Sequence, residues 1–172
     1  MFQRSDREHT ARNLHPTEQK GQTPMADPRA SLLAAYDGYT ASFQGAYERF
    51  ASNPGATPDP TPALPFYHTP CLFITPLGLH LYPEPPDLER HFEQVMLDMQ
   101  SKRYLRTGLG TPQLTFLGSR SALLSLEITR FDLDERQYDE YGVTYSFHRR
   151  AEEEWRIAVV TTHPKDAVIR ER

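Results

Sequence analysis

The chain has 172 residues, 38% of them hydrophobic and 11% aromatic, which suits one domain with a buried core and is short for two. Its net charge is −4 and its isoelectric point about 6.0, and Lys and Arg form no basic stripe, which excludes an electrostatic surface for nucleic acid. The single cysteine, Cys71, excludes an internal disulfide and a Cys-based zinc site, and the apolar runs are too short to span a bilayer.

Residues 1–26 differ in composition from the rest of the chain. They are polar and have few large apolar side chains, so they predict a disordered tail before a domain at 27–166 and a short C-terminal tail at 167–172. They lack the apolar segment of a secretory signal and carry acids that transit peptides avoid, so we expect a cytoplasmic protein. Met25 directly precedes the first predicted helix, and we hypothesise that it is the true start. N-terminal sequencing of the native protein tests this, and an intact Phe2 would contradict it.

A first helix is predicted from Asp27 onward. Asp27 can cap it and Pro28 suits its first turn. Apolar residues then recur at helical spacing and give an aromatic face, comprising Leu32, Leu33, Tyr36, Tyr39, Phe43, Tyr47 and Phe50. Residues 51–65 hold five of the fifteen prolines and predict a loop with at most one helical turn around Pro62 to Phe66.

The stretch PCLFITPLGLHLY, residues 70–82, predicts two short strands joined at Pro76-Leu77-Gly78. Alternation places Cys71, Phe73 and Thr75 on one face of the first strand. Both faces are largely apolar, so we expect this strand to be covered on at least one side.

A second helix is predicted from PEPPDLERHFEQVMLDMQSKRYL, with Asp87 as its cap. Its buried stripe comprises Leu88, Phe92, Val95, Met96 and Met99. Gly108-Leu109-Gly110 ends this region, and no strand is predicted between the second helix and these residues.

From Leu114 the apolar period becomes two, which predicts four strands in PQLTFLG, SALLSLEITRFDL, QYDEYGVTYSFHRR and EWRIAVVTTH. Their short polar joints favour an antiparallel meander. The order of elements therefore predicts an α+β cone, in which a strongly curved, mixed or antiparallel sheet wraps around N-terminal helices. Such a cone leaves a cavity between the sheet and the first helix.

Three stretches give a family resemblance over roughly Asp27 to Asp166: PFYHTPCLFITPLGLHLYPEPPDLERHFEQVM, ALLSLEITRF and YGVTYSFHRRAEEEWRIAVVTTHP. They resemble the nuclear transport factor 2-like (NTF2-like) superfamily, with its cystatin-like fold, near the bacterial SnoaL-like and ketosteroid-isomerase-like proteins. The closing EWRIAVVTTH is the strongest of these cues. The resemblance concerns the fold, because one fold hosts many functions.

The resemblance gives Thr75 a particular meaning. In isomerase-like members the first strand usually ends in Asp-Pro before a turn glycine, and that Asp is the general base that moves a proton beside a carbonyl. The matching residues here are Thr75 and Pro76, with Gly78 following. A threonine hydroxyl has no useful basicity near neutral pH, so proton abstraction of that kind cannot rest on Thr75.

The sequence assigns no catalytic residue, and only Glu127 and His163 stand as candidates. The isomerase pattern pairs a tyrosine on the first helix, here Tyr36 or Tyr39, with a protonated acid on a later strand, and Glu127 is the acid inside a predicted strand. The alternative for Glu127 is an ordinary pairing on the outer face of the sheet. His163 ends the last strand, where it could contact a polar ligand.

No metal or cofactor is expected. His68, His80, His91 and His163 contain no pair at the close spacing that would place two imidazoles on one face of a helix or strand.

The predicted pocket is mainly apolar and rich in tyrosine, and its lining is Tyr36, Tyr39, Phe43, Phe73, Thr75, Tyr145, Phe147 and His163. Proteins of the superfamily often dimerise through the outer sheet face, so we expect a homodimer, with neither nucleic acid nor membrane as a partner.

Three functions follow from this sequence. The leading hypothesis is a protein that binds a small apolar or amphipathic ligand without catalysis. The second is an isomerase-, cyclase- or dehydratase-like enzyme with an acid or base other than the usual strand-end Asp. The third is a structural dimerisation or interaction module, whose cavity would be filled by its own side chains.

Overall fold

The structure is a computed structural model that describes residues 27–53, 55–150 and 154–170. The predicted tail at 1–26, with Met25, lies outside these residues. Within them the elements are the helices α1 (Pro28–Ala51) and α2 (Pro85–Ser101), the 3-10 turns Leu64–Phe66 and Lys165–Ala167, and seven strands: β1 (Tyr67–Thr75), β2 (Gly78–Tyr82), β3 (Tyr104–Leu109), β4 (Gln113–Phe116), β5 (Ser121–Asp132), β6 (Gln137–His148) and β7 (Arg156–His163).

Helix α1 begins as its sequence predicts. The Asp27 carboxylate accepts a hydrogen bond from the backbone N–H of Arg29 at 3.0 Å, and Pro28 occupies the first helical position. Gly38 allows the Phe66 ring to lie directly against the helix, because an added Cβ would be 3.2 Å from that ring. The predicted helical turn in the proline-rich loop is the 3-10 turn that contains Phe66.

Helix α2 begins three residues earlier than predicted, so Asp87 as its cap is wrong. Glu84 is the capping residue, and Asp87 stands in the first turn, where its carboxylate accepts a hydrogen bond from the Glu84 N–H at 3.3 Å. Two prolines follow Glu84, and their fixed φ angle suits the first turn of a helix, which explains the earlier start.

The strands form one curved, unclosed sheet in the order β2-β1-β7-β6-β5-β3, with β4 paired to β5 beside β3. The predicted meander is confirmed, since β4, β5, β6 and β7 pair antiparallel in succession. The pairing of β1 with β7 is parallel, which makes the sheet mixed. The predicted α+β cone is confirmed.

Strand β3 is missing from the sequence prediction, which continued α2 into its first residues. Arg103 has a left-handed backbone, with a φ of 57°, and this conformation ends the helix. The chain then pairs with the second half of β5, from Tyr104 opposite Asp132 to Leu109 opposite Ile128.

A bulge in β7 changes which of its residues point inward. Phe147 of β6 lies opposite Ile157, but the next residue of β6, Ser146, lies opposite Val159, so Ala158 is the extra residue. Ile157 and Val160 are buried, whereas Val159 is only half-buried. The alternation that runs through Trp155, Ile157 and Val159 in the sequence therefore changes phase after Ile157.

None of the helices in the described ranges is long and apolar enough to cross a membrane.

Candidate functional site

A cavity of about 670 Å³ lies between the inner face of the sheet and the two helices. This volume falls within the roughly 300–1,000 Å³ that is typical of small-molecule sites. Most of its wall is aromatic or aliphatic, with Tyr39 and Phe43 from α1, Phe92 from α2, and Phe73, Tyr141, Val143 and Tyr145 from the sheet.

Two tyrosine hydroxyls form a hydrogen-bonded pair in this wall. Tyr67 donates to Tyr39 with 2.7 Å between their oxygens, and the Tyr145 ring packs edge-on against Tyr39. Burial raises the pKa of all three hydroxyls well above the usual value, because the phenolate form would lose its hydration. At physiological pH these side chains are neutral, so none of them acts as a base.

Thr75 borders the cavity, but its hydroxyl serves the turn between β1 and β2. It accepts a hydrogen bond from the Leu77 N–H at 3.1 Å and lies 3.4 Å from the carbonyl of Gly78, to which it donates. The residue that replaces the strand-end Asp of isomerase-like proteins is therefore a turn-stabilising side chain.

His91 of α2 also lines the cavity, a position that the sequence pattern does not predict. Its Nδ1 lies 2.9 Å from the Tyr82 hydroxyl, and its ring packs edge-on against Phe73. Burial, with a smaller contribution from the charge of His80, lowers the pKa of His91 to about 4. The imidazole is therefore neutral at physiological pH.

A row of polar side chains lies in the part of the cavity wall formed by β3, β5 and β6. Thr107, Arg130 and Asp139 are neighbours across β3, β5 and β6, and all three line the cavity. An Arg130 Nη1 donates to an Asp139 carboxylate oxygen at 3.2 Å, and the guanidinium lies 5.3 Å above the Tyr141 ring. Gln44 of α1 completes the row, and its side-chain amide donates to the Thr107 carbonyl with 3.5 Å between nitrogen and oxygen.

Sequence reasoning missed this row, although a signal for it exists. Arg130 continues the inward alternation of Leu126 and Ile128, and Asp139 continues that of Tyr141 and Val143. Opposite charges on the buried faces of consecutive strands indicate a cross-strand pair wherever the register sets them opposite each other.

His163 borders the cavity, but its imidazole lies over Gly142 on the outer face of the sheet. Nε2 shares a hydrogen bond with the Thr144 hydroxyl at 2.9 Å, and Nδ1 donates to the Pro164 carbonyl, also at 2.9 Å. A side chain at Gly142 would collide with this ring. Both nitrogens of His163 are therefore occupied within the chain.

The remaining sequence candidates lie away from the cavity. Glu127 is exposed and alternates with the buried Leu126 and Ile128, so it belongs to the outer face. Tyr36 and Phe147 are buried in the core and do not line the cavity, unlike the other members of the predicted lining.

Cys71 is fully buried, and burial raises the pKa of its thiol to about 12. This keeps it protonated and unreactive near neutral pH. Among the residues that the structure describes, no three His, Cys, Asp or Glu side chains converge as a metal site would require.

Two helices against the concave face of an unclosed sheet, with a ligand-sized cavity between them, define a class of cone-shaped α+β proteins. The chain belongs to the family of NTF2-like proteins called DUF6841, whose model matches residues 34–165. This match confirms the resemblance to the NTF2-like superfamily.

Solved structures with the same fold come from several bacteria. A domain of unknown function with a cystatin-like fold from Nostoc punctiforme is 17% identical, with a TM-score of 0.57 over 83% of this chain and 80% of that one. A ketosteroid isomerase-like protein from Erwinia carotovora is 13% identical, with a TM-score of 0.54 over 80% and 96%. Aln2 from a Streptomyces species is 10% identical, with a TM-score of 0.56 over 84% and 96%. At these identities the likeness concerns the fold alone, and no curated protein matches the sequence.

Proposed function

We propose that this protein binds a small apolar or amphipathic ligand in its cone cavity without catalysing a reaction on it. The observation that carries the proposal is the cavity of about 670 Å³, walled by aromatic side chains and supplied with a few polar groups. This combination of an apolar wall and a few orienting polar groups is the usual composition of small-molecule sites.

The positions of the acid–base candidates favour binding over proton transfer. The Thr75 hydroxyl is held in a turn, Glu127 faces outward, and both nitrogens of His163 are occupied. An enzyme of the isomerase type needs a base within hydrogen-bond reach of its substrate.

The carboxylates that do line the cavity are already paired with cations. Asp139 lies 3.2 Å from Arg130, and Asp98 lies 2.7 Å from Lys102 at the rim. Each of these carboxylates already accepts a hydrogen bond from the side chain of its cation. These pairings support a role in orienting a ligand rather than in removing a proton from it.

The proposal includes a cytoplasmic homodimer that forms through the outer sheet face. Residues 164–169 lie against part of this face, where the Ile169 N–H donates to the Ser125 hydroxyl at 3.1 Å. We place the dimer contact on the neighbouring strands, where Leu72 and Val159 are paired and half-buried. Sedimentation velocity over a range of concentrations tests this, and a monomer throughout would contradict it.

Ligand binding is tested with N-phenyl-1-naphthylamine, a neutral apolar fluorophore whose emission rises in apolar sites. We expect saturable binding that Thr162→Trp weakens about tenfold or more, because Thr162 lines the cavity and an indole there would occupy it. Native mass spectrometry of the gently purified protein looks for a ligand retained from the cell.

The matched control is Thr161→Trp. Thr161 neighbours Thr162 on β7, is half-buried to a similar degree and does not line the cavity. Circular dichroism and thermal unfolding verify that both variants fold. If the wild type does not bind the fluorophore, or if both tryptophan variants bind it equally well, the proposal is wrong.

A further inference from the structure

The polar row of Gln44, Thr107, Arg130 and Asp139 leaves one hydrogen-bond donor of Arg130, its Nε–H, without a partner. Its Nη1 donates to Asp139, whereas its Nε is buried and has no hydrogen-bond partner. Only 15% of the Arg130 side chain is exposed, so water compensates little for the missing acceptor. A guanidinium carries five N–H groups, and a planar acceptor with two oxygens matches their geometry.

The charges around Arg130 favour an anionic acceptor over a cationic one. Asp139 accepts a single hydrogen bond from Arg130. The Asp139 side chain is 37% exposed and the Arg130 side chain is 15% exposed. Water therefore screens the charge of the carboxylate more than that of the guanidinium. Asp98 is neutralised by Lys102. A cation in this row would be repelled by the buried guanidinium, whereas a carboxylate would be attracted to it.

The rest of the cavity wall indicates the shape and polarity of a ligand that would fit. From Asp139 the inner face of β6 continues through Tyr141 and Val143 to Tyr145, a distance of roughly 20 Å at a rise of about 3.3 Å per residue. The wall is polar at the first of these residues and aromatic or aliphatic at the others. A molecule that fits it has one polar end and an elongated apolar body.

We propose that the ligand is an amphipathic carboxylic acid, whose carboxylate binds Arg130 and whose apolar body extends along β6 toward Tyr39. This inference rests on the proposed function, because it specifies the ligand class of the same cavity. The pairing with Arg130 would fix the orientation of the ligand, and the aromatic wall would accept bodies of different shape.

The test compares dodecanoate with dodecan-1-ol as displacers of bound N-phenyl-1-naphthylamine, below the concentrations at which either aggregates. The two differ only in the head group, so their ratio isolates carboxylate recognition. We expect dodecanoate to displace the fluorophore at a concentration about tenfold lower. We expect Arg130→Met to abolish this preference while the fluorophore still binds.

Arg106→Met is the matched control, because Arg106 also lies on the sheet, next to Thr107, but is exposed and stacks over Phe131 outside the cavity. It should keep the preference. If Arg130→Met does not fold, Arg130→Lys keeps the charge without the planar fork, and a reduced preference supports the proposal.

The outcomes separate the two proposals. Absence of fluorophore binding to the wild type overturns the proposed function, and this inference with it. Binding of the fluorophore with equal displacement by acid and alcohol overturns only the carboxylate. A preference that survives Arg130→Met, or stronger displacement by dodecylammonium than by dodecanoate, also overturns it.

Discussion

The space between helix α1 and the sheet has two ends that use the same kinds of residue in different ways. At the closed end, side chains pack into one cluster, and all of these are at most 4% exposed: Leu32, Tyr36, Leu124, Phe147, Trp155 and Ile157. At the cavity end, Tyr39, Phe43, Tyr141 and Tyr145 surround an open volume. Tyr36 and Tyr39 lie one helical turn apart on one face of α1, and Phe147 and Tyr145 are successive inward residues of β6.

A cavity can therefore arise from the position of a residue along the cone rather than from its type. A curved sheet diverges from a straight helix along its length, so side chains of equal size meet at one end and fail to meet at the other. The closed end then contributes stability, and the other end leaves the cavity open.

The two ends should differ most in how much stability is lost when a large side chain is removed. Phe147→Ala should lower the free energy of unfolding by about 3–5 kcal/mol, because it opens a hole among fully buried side chains. Phe43→Ala should lower it by only about 1–2 kcal/mol, because one side of that half-buried ring already faces open volume. Urea unfolding monitored by circular dichroism measures both, and equal losses would contradict the distinction.

An intermediate effect concerns pH at the cavity end. The pKa of His91 is about 4 in the folded protein against a usual 6.5, so the unfolded chain takes up this proton first as the pH falls. The stability from neutral His91 is fully present above pH 6.5 and is lost as the pH falls toward 4. We expect the loss from this group between about pH 7.5 and about pH 5 to be about 1–2 kcal/mol, after allowance for partial exposure.

Urea unfolding at the two pH values measures this loss in the wild type and in His91→Gln, which removes the titrating group. His80→Gln, at an exposed position on β2, is the control and should retain most of the pH dependence. A pH dependence that His91→Gln leaves unchanged would assign the effect to other groups.

The smallest effect compares two hydroxyls. The Tyr36 hydroxyl at the closed end is buried without a hydrogen-bond partner, so Tyr36→Phe should leave stability unchanged or raise it by up to about 1 kcal/mol. Tyr39→Phe removes the hydrogen bond with Tyr67 and should lower stability by about 1–2 kcal/mol. Chemical unfolding gives both values, and an equal loss of stability in the two variants would mean that the two hydroxyls are in similar environments.

Local signals made most of the fold predictable. Asp27 and Pro28 marked the start of α1, and period-two alternation marked the last four strands. Strand β3 was missed because the left-handed conformation of Arg103, a residue type that rarely adopts it, has no signature in the sequence. The displaced start of α2 reflects two prolines that suit a helix as well as a loop.

The cavity was less predictable because its wall depends on the distance between α1 and the sheet and on the register of the paired strands. Periodicity identifies the inward face of α1, so it selects Tyr36 together with Tyr39, but the distance to the sheet is a property of the assembled cone. The row at Arg130 and Asp139 required the register of β5 against β6, which sets those two residues opposite each other. Alternation places each of these two residues on the inward face of its own strand, but only the register shows that they lie opposite each other.

The extra residue in β7 has a chemical consequence beyond packing. Because Ala158 is accommodated as a bulge, Val160 and Thr162 face inward, and the imidazole of His163 turns to the outer face. If Ala158 were instead paired regularly, strict alternation from Ile157 would direct the histidine into the cavity and Thr162 out of it. Loss of the bulge, with no residue removed, would thus exchange a hydroxyl for an imidazole in the wall, which is a short evolutionary route between an apolar cavity and one that contains a general base.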